Sequence, residues 1–281
     1  MRPEPKFFEV SQLRQPDASL EPTLAEIDCR MPSGHPYKDS RHVTWAHETT
    51  HGLNGRLRNQ HVQLIGIKQG FTTRGIDTLG LPPGVEFDYR LPIPGPVINE
   101  RIKLGHINAC YCLAGRGWRH EEPSFKLNDI AQAVPQELRG MSYQLYLVQQ
   151  QQYWNNEPLY VFDEWSAYLN GLSTALDHDD GGDGQFSDLL QAIEFMGYSY
   201  VLAEVAEDRS QIDNNVLDLI CFQTMRTFEL FEKAKGTRLR ESRCEEHIKK
   251  VVAHATELAE KYMGLFFVNE ILKQQPFWGL F

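Results

Sequence analysis

Apolar residues recur at spacings of three and four along most of the second half of the chain, which is the periodicity of helices with one buried face. The stretch after residue 214 illustrates this, with apolar or small residues at positions 217, 220, 221, 224, 225 and 228. The pattern predicts five helices, at Pro135–Gln152, Pro158–Leu176, Phe186–Asp208, Asn214–Lys235 and Glu241–Lys273. Gly264 is a candidate break within the last of them.

One more helix is predicted nearer the N terminus, over residues 41–58. No proline interrupts this segment, and its helical spacing is carried by Val43, Ala46, Thr50, Asn54 and Leu57. Asp39 or Ser40 offers a cap for the first turn. The helix is expected to end at Gly55 or near Asn59.

Residues 60–125 have a different pattern, in which glycine and proline recur and interrupt any long helix. Short apolar runs between them predict strands at Val62–Ile67, Val85–Leu91 and Ile107–Leu113. The fold class is therefore predicted as α+β, one mostly helical domain with a β-rich or irregular insert. Its N-terminal part spans residues 1–59, the insert residues 60–158, and the second helical part residues 159–281.

Composition and charge narrow the classes of function. The chain has 281 residues, and its 28 Lys or Arg against 38 Asp or Glu give a formal net charge of −10. This acidic balance argues against nucleic acid or an anionic membrane surface as the main partner. No apolar run approaches the ~18 residues of a membrane span, and no secretory signal is recognisable, so a cytoplasmic location is expected. The five scattered cysteines predict reduced, buried thiols.

Residues 46–52, Ala-His-Glu-Thr-Thr-His-Gly, contain the pattern H-E-x-x-H inside the helix predicted for residues 41–58. Side chains four apart on a helix share one face, about 6 Å apart along the axis, so His47 and His51 can reach one zinc ion. Glu48 lies one position round the helix, where it can reach a water on the metal and act as a general base. The alternative is a helix whose two histidines bridge to carboxylates.

The motif resembles that of the zincin metallopeptidases, a superfamily defined by a helix bearing H-E-x-x-H. The resemblance covers this helix and, more weakly, a second helix around residue 164. It implies that His47 and His51 bind Zn²⁺ and that Glu48 is the catalytic base. Glu48 would take a proton from the zinc-bound water as that water attacks a peptide carbonyl, and then pass it to the leaving amine. The implied substrate is a protein or peptide.

A catalytic zinc ion usually has three protein ligands and one open position. The metzincin subclass is excluded because Leu57 stands where that subclass has a third histidine. The gluzincin subclass takes a glutamate from a later helix, and Glu164 fits, within the segment Tyr-Val-Phe-Asp-Glu-Trp-Ser-Ala-Tyr-Leu at residues 160–169. A bare carboxylate in such an apolar helix is costly, so a metal or a cation is expected beside it. Ala167, three positions on, leaves room for close packing against the first helix.

Two features depart from the thermolysin-like gluzincins. The segment between His51 and Glu164 is long, and Tyr168 stands where those enzymes carry an aspartate that supports the first histidine. Asp163 points about 100° away from Glu164 and is interpreted as a partner that orients a ligand histidine. Asp163 itself or a core salt bridge of Glu164 stays an alternative. The remaining alternatives for the third ligand are His61, His106, His120 and His178.

A peptidase of this class needs a hydrogen-bond donor for the oxyanion of the tetrahedral intermediate. Tyr168 is the residue assigned to this role from the sequence, with Tyr198, Tyr200 and His178 as alternatives. Residues 177–188 match a calcium loop only partly and are interpreted as a solvated acidic turn.

The sequence therefore predicts a zinc-dependent metallopeptidase with a zincin-like core. A second hypothesis is a catalytically silent zincin-like domain that binds a protein or peptide partner. A third is a zinc-free helical protein whose motif arose by chance. With 10 histidines and 38 acidic residues in the chain, roughly 0.05 chance matches to the motif are expected.

Overall fold

The computed structural model describes residues 4–35, 41–68, 107–177, 184–234 and 245–263. The first elements are strand β1 (Phe8–Glu9), helix α1 (Pro22–Asp28) and helix α2 (His42–Lys68). Next come β2 (Ile107–Tyr111), β3 (Arg116–Glu121), α3 (Leu127–Ala133), a 3₁₀ turn (Gln136–Leu138), a π-helix (Tyr143–Gln149) and the short α4 (Gln151–Trp154). The long helices α5 (Tyr160–Asp177), α6 (Gly184–Asp208), α7 (Asn214–Ala234) and α8 (Glu245–Met263) follow. At this coarse level the α+β prediction is confirmed, because helices dominate and the described strands form one small sheet.

Helix α5 lies at the centre and packs against α1, α2, α6, α7 and β2. Every residue from Tyr160 to Ala175 is buried, as expected of a helix covered on all sides. Its polar residues therefore need partners inside the protein. Asn170 Nδ2 donates to Thr50 Oγ1 on α2 at 3.2 Å, and Arg226 Nη2 on α7 donates to Asn170 Oδ1 at 2.9 Å. These bonds tie the central helix to its neighbours on two sides.

The sheet has the antiparallel order β1-β3-β2, with Cys110 opposite Trp118. Successive side chains of a strand point to opposite faces. Ala109 and Tyr111 accordingly join a small core cluster with residues of α1 and α2, whereas Cys110 and Cys112 join the large cluster formed with the later helices. Strand β2 is thus buried on both faces, and it lies beside α2 and α5.

The structure corrects one prediction near the H-E-x-x-H motif. Residues 62–67, predicted as a strand, belong to α2, which continues through Gly55 to Lys68. A short apolar run fits a strand or a helix equally well, and no proline stands between Pro36 and Pro82 to stop the helix. The domain boundary drawn at residue 59 consequently falls inside α2. The strand predicted at Ile107–Leu113 is confirmed as β2, and the one at Val85–Leu91 lies outside the described residues.

A second correction concerns Pro135–Gln152, predicted as one α-helix. The chain forms the 3₁₀ turn, breaks at Gly140 and then forms the π-helix. Gly140 lies so close to the Glu194 carboxylate that a side chain there would overlap it, and Ser142 N donates to Glu194 Oε2 at 2.9 Å. A buried carboxylate on α6 therefore shapes this segment. The other four predicted helices are observed as α5–α8, and residues beyond Met263 lie outside the described residues.

Two further predictions, on the cysteines and on membrane spans, can be compared with the structure. The four described cysteines are free and buried. Across the described residues, no helix combines the length and the apolar character needed to cross a bilayer.

Candidate metal centre

Helix α2 presents both histidines of the motif on one face. Their rings lie edge to face with centroids 4.8 Å apart, and the two Nε2 atoms are separated by 3.1 Å. This is the arrangement expected for residues one helical turn apart. The His47 and His51 side chains are 13% and 22% exposed, so the pair is partly open to solvent.

Helix α5 brings Glu164 to the same point. Its Oε2 lies 3.5 Å from His51 Nε2 and 4.0 Å from His47 Nε2. Within the described part of the chain, these three residues are spaced closely enough to bind one metal ion. The Glu164 side chain is only 2% exposed. Tyr160 donates a hydrogen bond to Oε1, whereas Oε2 is buried with no hydrogen-bond partner among the described residues. Burying a charged carboxylate oxygen costs free energy, and a cation beside it offsets that cost.

The two helices approach closely because α5 carries small residues on the face turned toward α2. A Cβ built on Gly171 would lie 3.5 Å from the Val43 carbonyl oxygen and 3.6 Å from His47 Cβ. Ala167, on the same face, is fully buried. The two distances to α2 are ordinary van der Waals distances, so α2 lies in contact with the space that a Cβ at position 171 would occupy.

The outer nitrogen of His51 is held by a buried polar network. His51 Nδ1 lies 2.7 Å from Asp163 Oδ1, which also accepts a hydrogen bond from Asn54 Nδ2 at 2.7 Å. Asp163 Oδ2 forms an ion pair with Arg58 Nη1 at 3.2 Å, and Asn54 Oδ1 accepts from the backbone N–H of Tyr111 on β2 at 2.7 Å. Such a network fixes the orientation of an imidazole ring. The contact of Asp163 with His51 is the one interpreted from the sequence.

The two histidines experience opposite electrostatics. Burial, aided by the nearby His51, lowers the pKa of His47 to about 3, so its ring is neutral. Burial also disfavours the charged form of His51, but the carboxylates of Asp163 and Glu164 outweigh it and raise the pKa of His51 well above its ordinary value. Burial likewise opposes the charge on Asp163, and His51 and Arg58 more than compensate, so the pKa of Asp163 is lowered.

Three tyrosines form an aromatic wall beside the cluster. The Tyr168 ring lies 4.4 Å from the His47 ring, between centroids, and its hydroxyl is hydrogen-bonded to the Tyr146 hydroxyl from the π-helix. Burial raises the pKa of Tyr146, and the negative charge of Glu164 raises it further. Burial also raises the pKa values of Tyr160 and Tyr168. All three hydroxyls therefore keep their protons at neutral pH and can donate hydrogen bonds.

The alternatives drawn from the sequence lie elsewhere. His120, on β3, stacks on Trp118 and faces Asp213 at 3.4 Å, away from the cluster. Tyr200 bonds to Thr224, and Tyr198 packs against Phe195. The His61 side chain, His106 and His178 lie outside the described residues, as do residues 178–183 of the acidic segment. Residues 184–188 of that segment belong to helix α6, so the predicted turn does not extend over them.

Sequence reasoning missed part of the site. Asn54 and Arg58 follow His51 by three and seven positions on α2, so their helical spacing is a signal that could have placed them on the His51 side. Tyr160 precedes Glu164 by one turn, which is a similar signal. Tyr146 gave no such signal, because a separate π-helix delivers it.

Comparisons with protein-family models, with curated proteins and with solved structures found no match for this chain.

Proposed function

We propose that the chain is a zinc-dependent peptidase that hydrolyses peptide bonds with Glu48 as the general base. The observation that carries the proposal is the convergence of His47 Nε2, His51 Nε2 and Glu164 Oε2, with Glu48 next to His47 on α2. A structural ion pair would account for His51 and Glu164 alone. Without metal, the protonated His51 also lies 3.1 Å from His47 Nε2 and can donate to this neutral ring, so zinc would replace a proton that three donor atoms surround. The net charge of −10 favours a polypeptide over a nucleic acid as substrate.

The donor set fits zinc. Two imidazole nitrogens and one carboxylate oxygen match the three protein ligands of a catalytic zinc ion, whereas calcium and magnesium favour oxygen ligands alone. Oε2 of Glu164 is buried without a hydrogen bond and faces the protonated His51 at 3.5 Å, and a metal cation would take over the compensation of its charge. When bound, zinc supplies Lewis-acid chemistry that lowers the pKa of a water and polarises the substrate carbonyl.

Glu48 is the proposed general base. It follows His47 directly on α2 and is half-buried, which supports a carboxylate next to the cluster. In the proposed reaction Glu48 accepts a proton from the attacking water and donates it to the leaving amine. Its negative charge contributes to the raised pKa of Tyr146, which links Glu48 electrostatically to the aromatic wall.

The oxyanion donor is proposed to come from the paired hydroxyls of Tyr168 and Tyr146. Tyr146 is also hydrogen-bonded to Glu164, so a hydroxyl of the pair would stabilise a developing negative charge by exchanging one of these bonds for a bond to the oxyanion. Tyr168 is the residue predicted for this role, and its ring contact with His47 supports the proposal. Tyr146 is the alternative donor, because the two hydroxyls share one hydrogen bond.

The test is to compare wild type with Glu48→Gln on a mixture of peptides, with cleavage read by mass spectrometry and zinc content measured on the same samples. Glu48→Gln should keep its zinc and lose cleavage, because Glu48 moves a proton and does not hold the metal. Glu121→Gln, an exposed glutamate on β3, is the matched control and should behave as wild type. A zinc-loaded wild type that cleaves nothing would instead favour the silent, partner-binding domain.

A further inference from the structure

Two buried polar atoms near His47 have no hydrogen-bond partner among the described residues. A histidine that binds a metal through Nε2 carries its proton on Nδ1, and that N–H needs an acceptor. For His51 the acceptor is Asp163. For His47, Nδ1 is buried and has no hydrogen-bond partner anywhere in the described ranges. Buried polar atoms without partners are rare, so each one calls for a physical explanation.

Asp188, in the first turns of α6, supplies the complementary atom. Its Oδ2 is buried and, within the described part of the chain, also has no hydrogen-bond partner. Burial alone raises the pKa of Asp188 to about 7. An unpaired acid in the interior costs stability, so the fold keeps it there at a penalty.

The two unmatched groups flank the same glycine. A Cβ built on Gly171 would lie 3.3 Å from Asp188 Oδ2 and 3.6 Å from His47 Cβ. Asp188 also acts on the Tyr168 hydroxyl by raising its pKa, and the Tyr168 ring packs on His47. The donor and the acceptor therefore share one small region between α2, α5 and α6.

We propose that Asp188 is the positioning residue for His47, accepting the Nδ1–H hydrogen bond through one bridging water while Nε2 faces the metal. This inference rests on the proposed metal site. It gives each histidine its own carboxylate, Asp163 from α5 for His51 and Asp188 from α6 for His47. With Asp188 in this role, His47 has a supporting acid although position 168 is a tyrosine.

The experiment measures zinc affinity by competition with a chromophoric chelator, and thermal unfolding of the metal-free protein, for wild type, Asp188→Asn and Asp188→Ala. Zinc affinity should fall about 10–100-fold in Asp188→Ala and less in Asp188→Asn, because the amide oxygen still accepts a hydrogen bond. The melting temperature of the metal-free protein should stay the same or rise in Asp188→Asn, because an unpartnered acid has been removed. A merely structural residue would lower the melting temperature of the metal-free protein, whether or not zinc affinity falls with it.

Glu194→Gln is the matched control, because Glu194 is a fully buried acid on the same helix whose partners are Ser142 N and His247 Nε2. This variant should lose thermal stability and keep its zinc affinity. Zinc affinity of both Asp188 variants within twofold of wild type would overturn the inference and leave the metal site standing. The same holds if affinity and metal-free stability fall together in both. A wild type that binds no zinc would overturn both proposals.

Discussion

The two histidines of the site are one helical turn apart but are held in different ways. His51 is fixed by a charged network in which Asp163 contacts it at 2.7 Å and is itself held by Asn54 and Arg58. His47 is held by packing, with the Tyr168 ring against it, and its Nδ1 meets no partner in the part of the chain that the structure describes. The His51 ring is therefore held by charged groups, whereas the His47 ring is held by packing.

The difference decides which histidine carries a proton. Burial acts against the charged form of both rings, but only His51 has carboxylates close enough to overcome it. In the proposed metal site, His47 would bind the cation as a neutral ligand. His51 would first have to give up a proton, which would couple metal affinity to pH through this residue.

The largest effect on zinc affinity is expected from Glu164→Ala, because Glu164 faces both histidines. Affinity should fall by several orders of magnitude when one of three protein ligands is lost. Chelator competition measures the change, with Glu121→Ala as a control that should bind as wild type. Unchanged affinity in Glu164→Ala would place the third ligand elsewhere.

A smaller effect is expected from Asp163→Asn, which removes the charge that holds the His51 half. Zinc affinity should fall about 10–100-fold. The free energy of unfolding of the metal-free protein should fall by about 3 kcal/mol, because Arg58 and His51 lose a buried counter-charge. Urea unfolding measures it. Metal-free stability equal to that of wild type would show that the network contributes nothing to folding.

Zinc binding should also release protons. The pKa of His51 is raised in the fold, so its proton stabilises the metal-free protein at low pH, and this contribution is lost as the pH rises through the raised value. Below that value zinc must displace the proton, and affinity should fall about tenfold for each unit of decreasing pH. Calorimetry in two buffers of different ionisation enthalpy counts the protons. Asp163→Asn should release fewer, and equal release in both proteins would contradict the assignment.

The smallest effect on zinc affinity is expected from Tyr168→Phe and Tyr146→Phe, because the rings that pack the His47 half are kept. For the tyrosine that donates to the oxyanion, kcat should fall about 10²-fold with KM unchanged. Steady-state kinetics of the two single variants and the double variant identify the donor. Wild-type kcat in all three would remove the aromatic wall from the mechanism.

The sequence predicted the placement of the clustered residues where local geometry decides it. The spacing of His47 and His51 on a helix needs no tertiary information, and the same is true of the divergence of about 100° between Asp163 and Glu164 on α5. The 62–67 strand prediction failed because a short apolar run carries no information on whether a helix continues past Gly55.

What could not be predicted depends on packing between distant segments. The pairing of α5 with α2 was expected from the family resemblance through Glu164. The delivery of Tyr146 by a π-helix and the position of Asp188 beside Gly171 arise from long-range contacts. No periodicity within a single element encodes them. The break at Gly140 is a further example, because its cause is the Glu194 carboxylate on another helix.

The central claim is that the cluster holds zinc, and elemental mass spectrometry of freshly purified protein, with no metal added, tests it most directly. Wild type and His42→Ala, an exposed histidine on the same helix, should each contain about one zinc ion per chain, whereas His47→Ala should contain little. A zinc content near zero in wild type that added zinc does not raise would contradict the claim.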